Sequence, residues 1–276
     1  MRDATAQDIE LDLLLEAIYR TYDYDFRGYA RASIKRRVLQ AQERFGCRSL
    51  SLLQDRVMQE PSLLPQLLGY LTVQVSDLFR DPEYFLAMRQ HVVPHLKTYP
   101  SLKVWIAGCS TGEELYSMAI LFREEGLEAR TLFYATDINS DSLSKAEAGI
   151  YHLDRIARFS DNHRASGGTG SLSDYYTAGY QAAVFDKTLR RRTVFSDHSL
   201  VSDAVFAEVH VISCRNVLIY FDRSLQDRAV GLLKDALVRR GFLGLGSREN
   251  LRFNAHYEDF AEIAGSAKWF QKRGNE

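Results

Sequence analysis

A short apolar run, Leu102-Lys103-Val104-Trp105-Ile106-Ala107, breaks into Gly108-Cys109-Ser110-Thr111-Gly112 and passes at once into a helical stretch, 113–125, closed by Gly126. A strand that turns on glycine and feeds a helix builds a ligand crevice at the strand's carboxyl end. Glycine lets the backbone approach a ligand closely, and the free N–H groups of the helix start attract negative charge. This unit commits the region around it to strands and helices in layers.

The flanking segments keep the same grammar. Thr131-Leu132-Phe133-Tyr134-Ala135 predicts a strand that stops at Asp137, and 140–148 a helix ended by Gly149. Val209-His210-Val211-Ile212-Ser213 predicts another buried strand, 224–239 a helix, and Phe242-Leu243-Gly244-Leu245 a strand. Asp81-Pro82 reads as an N-cap followed by proline at the first helical position, opening a helix toward His95. Such alternation predicts an α/β fold with a largely parallel sheet. Between 151 and 197 the alternation breaks. A Gly/Ser-rich loop, 166–171, and two strand-like runs, 181–185 and 191–195, predict a small antiparallel β insertion there.

The first 80 residues show only helical periodicity. Leu11, Leu14, Leu15 and Ile18 form one apolar stripe; Ile34, Val38, Ala41 and Phe45 form a second, ended by Gly46. Leu50, Leu53 and Val57 suggest a short third helix, and Leu64, Leu67, Leu68, Leu71 and Val75 a fourth opening near Pro61 and Pro65. The predicted division is therefore an all-helical domain, 1–78, and an α/β domain, 79–276, with the insertion at 151–197.

Composition excludes several classes. No run of about 18 apolar residues exists to span a membrane, and Met1-Arg2-Asp3 opens no charged-then-apolar signal, so a cytoplasmic protein is expected. Cys47, Cys109 and Cys214 cannot all pair and show no Cys-x-x-Cys spacing, which suits reduced thiols. With 35 basic and 36 acidic side chains, the net charge of -1 argues against a chain devoted to nucleic acid.

The glycine turn runs into Glu113-Glu114, where a phosphate-binding loop would carry Gly-Lys-Ser/Thr, and Gly-x-Gly-x-x-Gly is absent. Two carboxylates repel phosphate, so ATP and GTP fit poorly. A nucleoside without phosphates and with a positive centre, S-adenosylmethionine, fits better. Asp137 at the end of the next strand suits ribose hydroxyls, although NAD would use an acid there too, and an Asp in that position is also a common N-cap.

Four strings in order carry a family resemblance: Leu78-Phe79-Arg80-Asp81, then Gly108 through Ser117, then Ala135-Thr136-Asp137-Ile138, then Cys214-Arg215-Asn216-Val217-Leu218-Ile219-Tyr220-Phe221. Together they resemble the CheR family of chemoreceptor glutamate methyltransferases, and Gly246-Ser247-Arg248-Glu249-Asn250 resembles a further stretch of that family. The resemblance covers nearly the whole chain. It implies a class I S-adenosylmethionine-dependent methyltransferase sheet with an N-terminal helical domain and a small antiparallel insertion. It implies methyl transfer from S-adenosylmethionine to glutamates on the cytoplasmic signalling helices of chemoreceptors, leaving S-adenosylhomocysteine. Carried over by position, it implies cofactor contacts from Gln74, Ser76, Arg80, Gly108, Glu114, Asp137, Ser199, Leu200, Arg215 and Asn216, with Arg80 and Tyr220 at the chemistry. Gln74, Ser76 and Ser199 stand where the family carries Asn, Thr and Asn, swaps that keep hydrogen-bonding capacity. Some members also hold a receptor tether peptide on the insertion.

Between residues 20 and 48, eight basic side chains face three acidic ones. On the second helix Arg37, Arg44 and Arg48 share one flank of the apolar stripe, and Arg31 and Lys35 the other. These five are the candidate dock for an acidic partner. The patch lacks the interleaved aromatics of single-strand binders, so no nucleic-acid partner is expected. His91 and His95 have metal-pair spacing, but Pro94 lies between them and no third ligand stands out, so no metal is expected. Arg190-Arg191-Arg192 reads as exposed charge. Two competing readings share the cofactor fold: a methyltransferase acting on a small molecule or RNA, and a cofactor-sensing scaffold without turnover.

Overall fold

The computed structural model describes residues 5–72 and 76–274. The chain forms two compact units, one of Met1–Val73 with Ile219–Arg228, the other of Gln74–Leu218 with Ala229–Glu276.

In the first unit, α1 (Ala6–Tyr22) opens on a capping box in which Thr5 Oγ1 accepts the Asp8 N–H at 3.2 Å and Thr5 N donates to Asp8 Oδ2 at 3.3 Å. Its stripe of Leu11, Leu14, Leu15 and Ile18 is buried, each side chain contributing about 1.5–3 kcal/mol. α2 (Arg31–Arg44) buries Ile34, Val38 and Ala41, and α3 (Leu50–Gln59), capped by Ser49, buries Leu50, Leu53 and Val57. α4 (Leu64–Leu71) stops at Thr72, whose backbone is extended. The apolar stripe predicted helix on to Val75, which lies outside the described residues.

Periodicity gave no hint that 219–228 belongs with these helices. Ala30 N donates to Tyr220 O at 2.8 Å, Asp222 N to Gly28 O at 2.8 Å, and Tyr29 and Phe221 form an antiparallel bridge with their rings 5.1 Å apart. A Cβ at Gly28 would stand 3.0 Å from Leu225 Cδ2, so glycine permits this approach.

The same segment corrects one member of the proposed dock. Arg37 is 6% exposed. Its Nη1 donates to Leu71 O at 2.7 Å, and its guanidinium lies 4.4 Å from the centre of the Tyr220 ring. The helical wheel placed Arg37 on an open flank because it could not see a ring from far along the chain stacking there. Arg31 pairs with Asp12, and Lys35 Nζ lies 2.7 Å from Asp8 Oδ1, so α1 neutralises that flank. Arg44 and Arg48 are exposed and make no ion pair with a described residue.

The second unit begins with one interrupted helix: α5 (Pro82–Ala87), a π turn (Met88–Val92) and α6 (Val93–Leu96). It continues with β1 (Leu102–Ala107), α7 (Glu113–Glu124), β2 (Thr131–Asp137), α8 (Ser140–Ala148), β3 (Ile150–His152) and α9 (Ile156–Ala165). Then follow β4 (Tyr176–Gly179), β5 (Ala182–Phe185), β6 (Thr193–Asp197), β7 (Val209–Cys214), the part of α10 (Arg223–Ala236) from Ala229 on, β8 (Leu237–Leu245), β9 (Phe260–Ala264) and β10 (Trp269–Lys272). The main sheet has seven strands in the order β6-β2-β1-β7-β8-β10-β9. From β6 to β8 the pairs are parallel, while β10 runs antiparallel to both neighbours. Strand order reverses between β1 and β7, so the ligand crevice of such a sheet opens at their carboxyl ends. β1 and β7 are buried almost end to end, as central parallel strands must be.

Three expectations are corrected here. The run at 191–195 is not part of the insertion: β6 pairs parallel with β2 at the edge of the main sheet, from Phe133↔Thr193 to Asp137↔Asp197. Its half-exposed pattern, Val194 being 45% exposed, imitates an antiparallel strand. The insertion instead holds the three-stranded sheet β3-β5-β4 and the helix α9. Second, Asp81 occupies the N-cap position of α5 with φ 56° and makes no side-chain capping bond; its carboxylate turns to Arg215. Third, the helix predicted at 224–239 ends at Ala236, and β8 starts at Leu237, opposite Val209. The His95 ring rests 5.6 Å from that of Phe242, and no metal-holding group of His, Cys, Asp and Glu occurs among the described residues. None of the helices among them is long and apolar enough to cross a membrane.

Candidate active site

The glycine turn leaves β1 at its carboxyl end. Gly108 has φ 73°, and a Cβ there would lie 2.5 Å from Val217 Cγ2; Gly112 has φ 91°, and a Cβ there would lie 2.8 Å from Ala146 Cα. Any other residue at either position would be strained and would collide with a neighbour. The amides of Gly108 and Cys109 donate to Thr136 O at 2.8 and 2.9 Å, which fastens the turn to β2.

Asp137, at the end of β2, reaches back to the turn. Its Oδ2 accepts the Ser110 N–H at 2.8 Å and its Oδ1 the Asn139 N–H at 3.0 Å. Burial pushes this carboxyl above the ordinary range, and the amides of Ser110, Asn139 and Ile138 pull it part of the way back. A carboxylate has about four acceptor sites, so these amides orient it without exhausting it.

A second cluster joins α5, α7 and the end of β7. Glu114 Oε1 accepts from Ser213 Oγ, and Glu114 Oε2 lies 3.1 Å from Arg215 Nη1. Arg215 Nη2 donates to Asp81 Oδ2 at 2.8 Å and to the backbone oxygen of Arg80 at 2.6 Å. The guanidinium lies 4.1 Å from the centre of the Tyr84 ring, whose hydroxyl is 2.6 Å from Ser213 Oγ. Burial, with Glu114 nearby, holds the Tyr84 phenol well above its usual pKa. The side chain of Arg215 is 1% exposed, so its guanidinium serves this cluster and any cofactor contact falls to its backbone. Next to it, Asn216 (φ 59°) donates its N–H to Glu249 Oε2 at 2.9 Å, and Gly246 N donates to the same oxygen at 2.6 Å.

Residues 9–72 match the family described as CheR methyltransferase, all-alpha domain, and 74–267 that described as CheR methyltransferase, SAM binding domain. A Pseudomonas putida protein named as methyltransferase Cher3 is 54% identical over 96% of this chain and 97% of its own length. The chain belongs to the CheR methyltransferase family. The chemotaxis protein methyltransferase of Listeria innocua is 27% identical over 91% of this chain and 94% of its own length; that of Salmonella typhimurium is 29% identical over 70% and 63%.

This CheR protein is thus an S-adenosylmethionine-dependent methyltransferase, and its sheet is the class I methyltransferase sheet, with the antiparallel strand β10 next to last. The residues present fit the cofactor. Around the carboxyl ends of β1, β2 and β7 lie Asp77, Asp81, Glu113, Glu114, Asp137 and Glu249, against Arg80, Arg155, Arg158 and Arg215. That surplus of negative charge suits a ligand carrying a sulfonium and an ammonium, and would repel phosphate.

Of the residues singled out from the sequence of this CheR chain, the second unit draws Arg80, Glu114 and Arg215 into one cluster, Gly108 and Asp137 into another, and Asn216 toward Gly246. Ser199 follows β6; its Oγ accepts the amides of Val201 and Ser202 at 3.2 and 3.3 Å, and Leu200 beside it is buried. Ser76 is half-buried and its carbonyl accepts from Arg155. Tyr220 falls in the first unit against Arg37, and Gln74 lies outside the described residues. Tyr84, Ser213 and Arg155 were missed, and nothing local in the sequence marks them. Glu249 lay inside a stretch already noted. Burial pushes the thiols of Cys109 and Cys214 well up, so both stay protonated and pack as small apolar groups.

Proposed function

We propose that this protein methylates glutamate side chains on the cytoplasmic helices of chemoreceptors, forming methyl esters in chemosensory adaptation. Its relatives named chemotaxis protein methyltransferase support that reading. S-adenosylmethionine supplies a methyl carbon already activated by its sulfonium. Asp137 accepts from the ribose hydroxyls, Gly108 lets the backbone approach, and Ser76, Ser199, Leu200 and Asn216 complete the pocket. Glu114, its carboxylate only partly neutralised by Arg215, faces the cofactor's positive end. Arg80 grips a carboxylate in a two-pronged contact.

The acceptor needs no general base. A glutamate with a pKa near 4.3 is ionised at neutral pH, so the protein's task is alignment and exclusion of water. Well-oriented reactants alone can lower a barrier by about 7–11 kcal/mol.

The observation that carries the acceptor's identity is the pair of exposed arginines, Arg44 and Arg48, that make no ion pair with a described residue, in a chain of nearly zero net charge. They suit the acidic methylation helices of receptors. Incubating the protein with radiolabelled S-adenosylmethionine and a chemoreceptor signalling domain is expected to place base-labile label on the receptor. Label confined to small molecules or RNA would replace this reading. In the same assay the double variant Arg44→Glu/Arg48→Glu should raise KM for receptor roughly tenfold, about 1.4 kcal/mol, with affinity for S-adenosylhomocysteine unchanged. An unaltered KM removes these residues from docking.

A further inference from the structure

We propose that Arg155, in the β insertion, is a positioning residue of the cofactor pocket, clamping the glycine turn to the segment that carries Ser76 and Arg80. The inference rests on the cofactor site described above and is independent of the acceptor's identity.

Arg155 lies between β3 and α9, and its guanidinium touches two separate walls. Nη1 lies 2.8 Å from Glu113 Oε1, on the first residue of α7, directly after the glycine turn. Nη2 reaches Asp77 Oδ1 at 3.2 Å and donates to the Ser76 carbonyl. A second arginine of the insertion, Arg158, holds the other oxygen of Asp77 at 2.8 Å. The Glu113 side chain is 1% exposed, its Oε2 already taken by the Thr111 hydroxyl at 2.6 Å, so Arg155 alone among the described residues neutralises it. A buried carboxylate that loses its only cation must protonate or move, and either change disturbs the turn.

The insertion supports this clamp from below. The Arg155 guanidinium lies 4.7 Å from the centre of the Phe159 ring. Tyr151, on β3, donates its hydroxyl to Thr111 O at 2.8 Å, and a Cβ on Gly112 would stand 3.1 Å from the Tyr151 hydroxyl oxygen. The insertion therefore braces the turn twice, through Tyr151 on the backbone and through Arg155 on the first helical side chain. A planar fork can hold Glu113, Asp77 and the Ser76 carbonyl together, whereas a single ammonium cannot.

Calorimetry with S-adenosylhomocysteine on the full chain tests this without any acceptor, so a wrong acceptor does not affect the outcome. Arg155→Met is expected to weaken binding about tenfold and to raise KM for the donor while kcat changes less than twofold. Arg155→Lys should fold at least as well and recover only part of the affinity. The double variant Arg155→Met/Glu113→Gln should lose less than the sum of the single losses, because the stranded carboxylate is gone. Arg89→Gln is the control: Arg89 also ties the insertion to the core, through Ser166 O at 3.1 Å and Glu125 at 2.9 Å, but touches neither wall. It should lower Tm and leave affinity intact. Wild-type affinity in folded Arg155→Met or in Arg155→Lys, or an equal loss in Arg89→Gln, overturns the proposal.

Discussion

Asp137→Ala is expected to weaken S-adenosylhomocysteine binding at least ~100-fold, measured by calorimetry on folded protein. Hydrogen bonds to a charged acceptor are worth about 1.5–3 kcal/mol each, and losing the two proposed ribose contacts together gives roughly a hundredfold to ten-thousandfold. The turn also loses its anchor, since the Ser110 and Asn139 amides would be left without the carboxylate they now share. Asp137→Asn should fall between the two, because an amide offers one acceptor oxygen and points a donor at a backbone N–H. The pH dependence follows from the raised pKa of the folded form, caused chiefly by burial. A carboxyl raised on folding favours the fold while protonated, and that contribution disappears as pH rises through its folded pKa. Ionised Asp137 thus destabilises the cofactor-free fold, a cost that the proposed ribose contact would offset on binding. Cofactor affinity should fall on acidification at a higher pH than an unperturbed aspartate would give, and this step should vanish in Asp137→Asn. Affinity within threefold of wild type in Asp137→Ala would remove the carboxylate from the site.

How far the site was readable from the chain depended on whether a residue's role is local. The turn from Gly108 to Gly112 and the acid at Asp137 were legible because a buried strand, a glycine and a helix start announce themselves within a few residues. β6 was misplaced because an edge strand shows the same half-exposed alternation in a parallel sheet as in a hairpin. The β9–β10 hairpin escaped notice because Phe260 to Lys272 contains no long apolar run. Arg37 illustrates the limit most clearly: helical periodicity assigns a flank, but whether that flank meets water depends on Tyr220, which no local rule connects to it. Arg215 and Glu114 were both picked out as cofactor contacts, yet their pairing across the fold is a tertiary fact.

That pairing predicts a large loss of stability rather than of binding alone. Arg215→Met should lower the unfolding free energy by about 3 kcal/mol, the lower end of the range for breaking a buried ion pair. The lower end applies because Asp81 is one-third exposed and water screens its share, whereas Glu114 is 14% exposed. Methionine preserves the packing over Tyr84 but leaves Glu114 facing Ser213 Oγ with no ion-pair partner among the described residues. Arg215→Lys should also destabilise, because one ammonium cannot reach Glu114, Asp81 and the Arg80 carbonyl while keeping contact with the ring. Adding Glu114→Gln to Arg215→Met should restore part of the loss in urea unfolding without restoring cofactor affinity, separating the cluster's hold on the fold from the cofactor contact proposed for Glu114. An arginine that served only a bound cofactor would leave the unfolding curve of the cofactor-free protein unmoved. A change below about 1 kcal/mol in Arg215→Met would therefore show that the buried cluster is not what holds α5, α7 and β7 together.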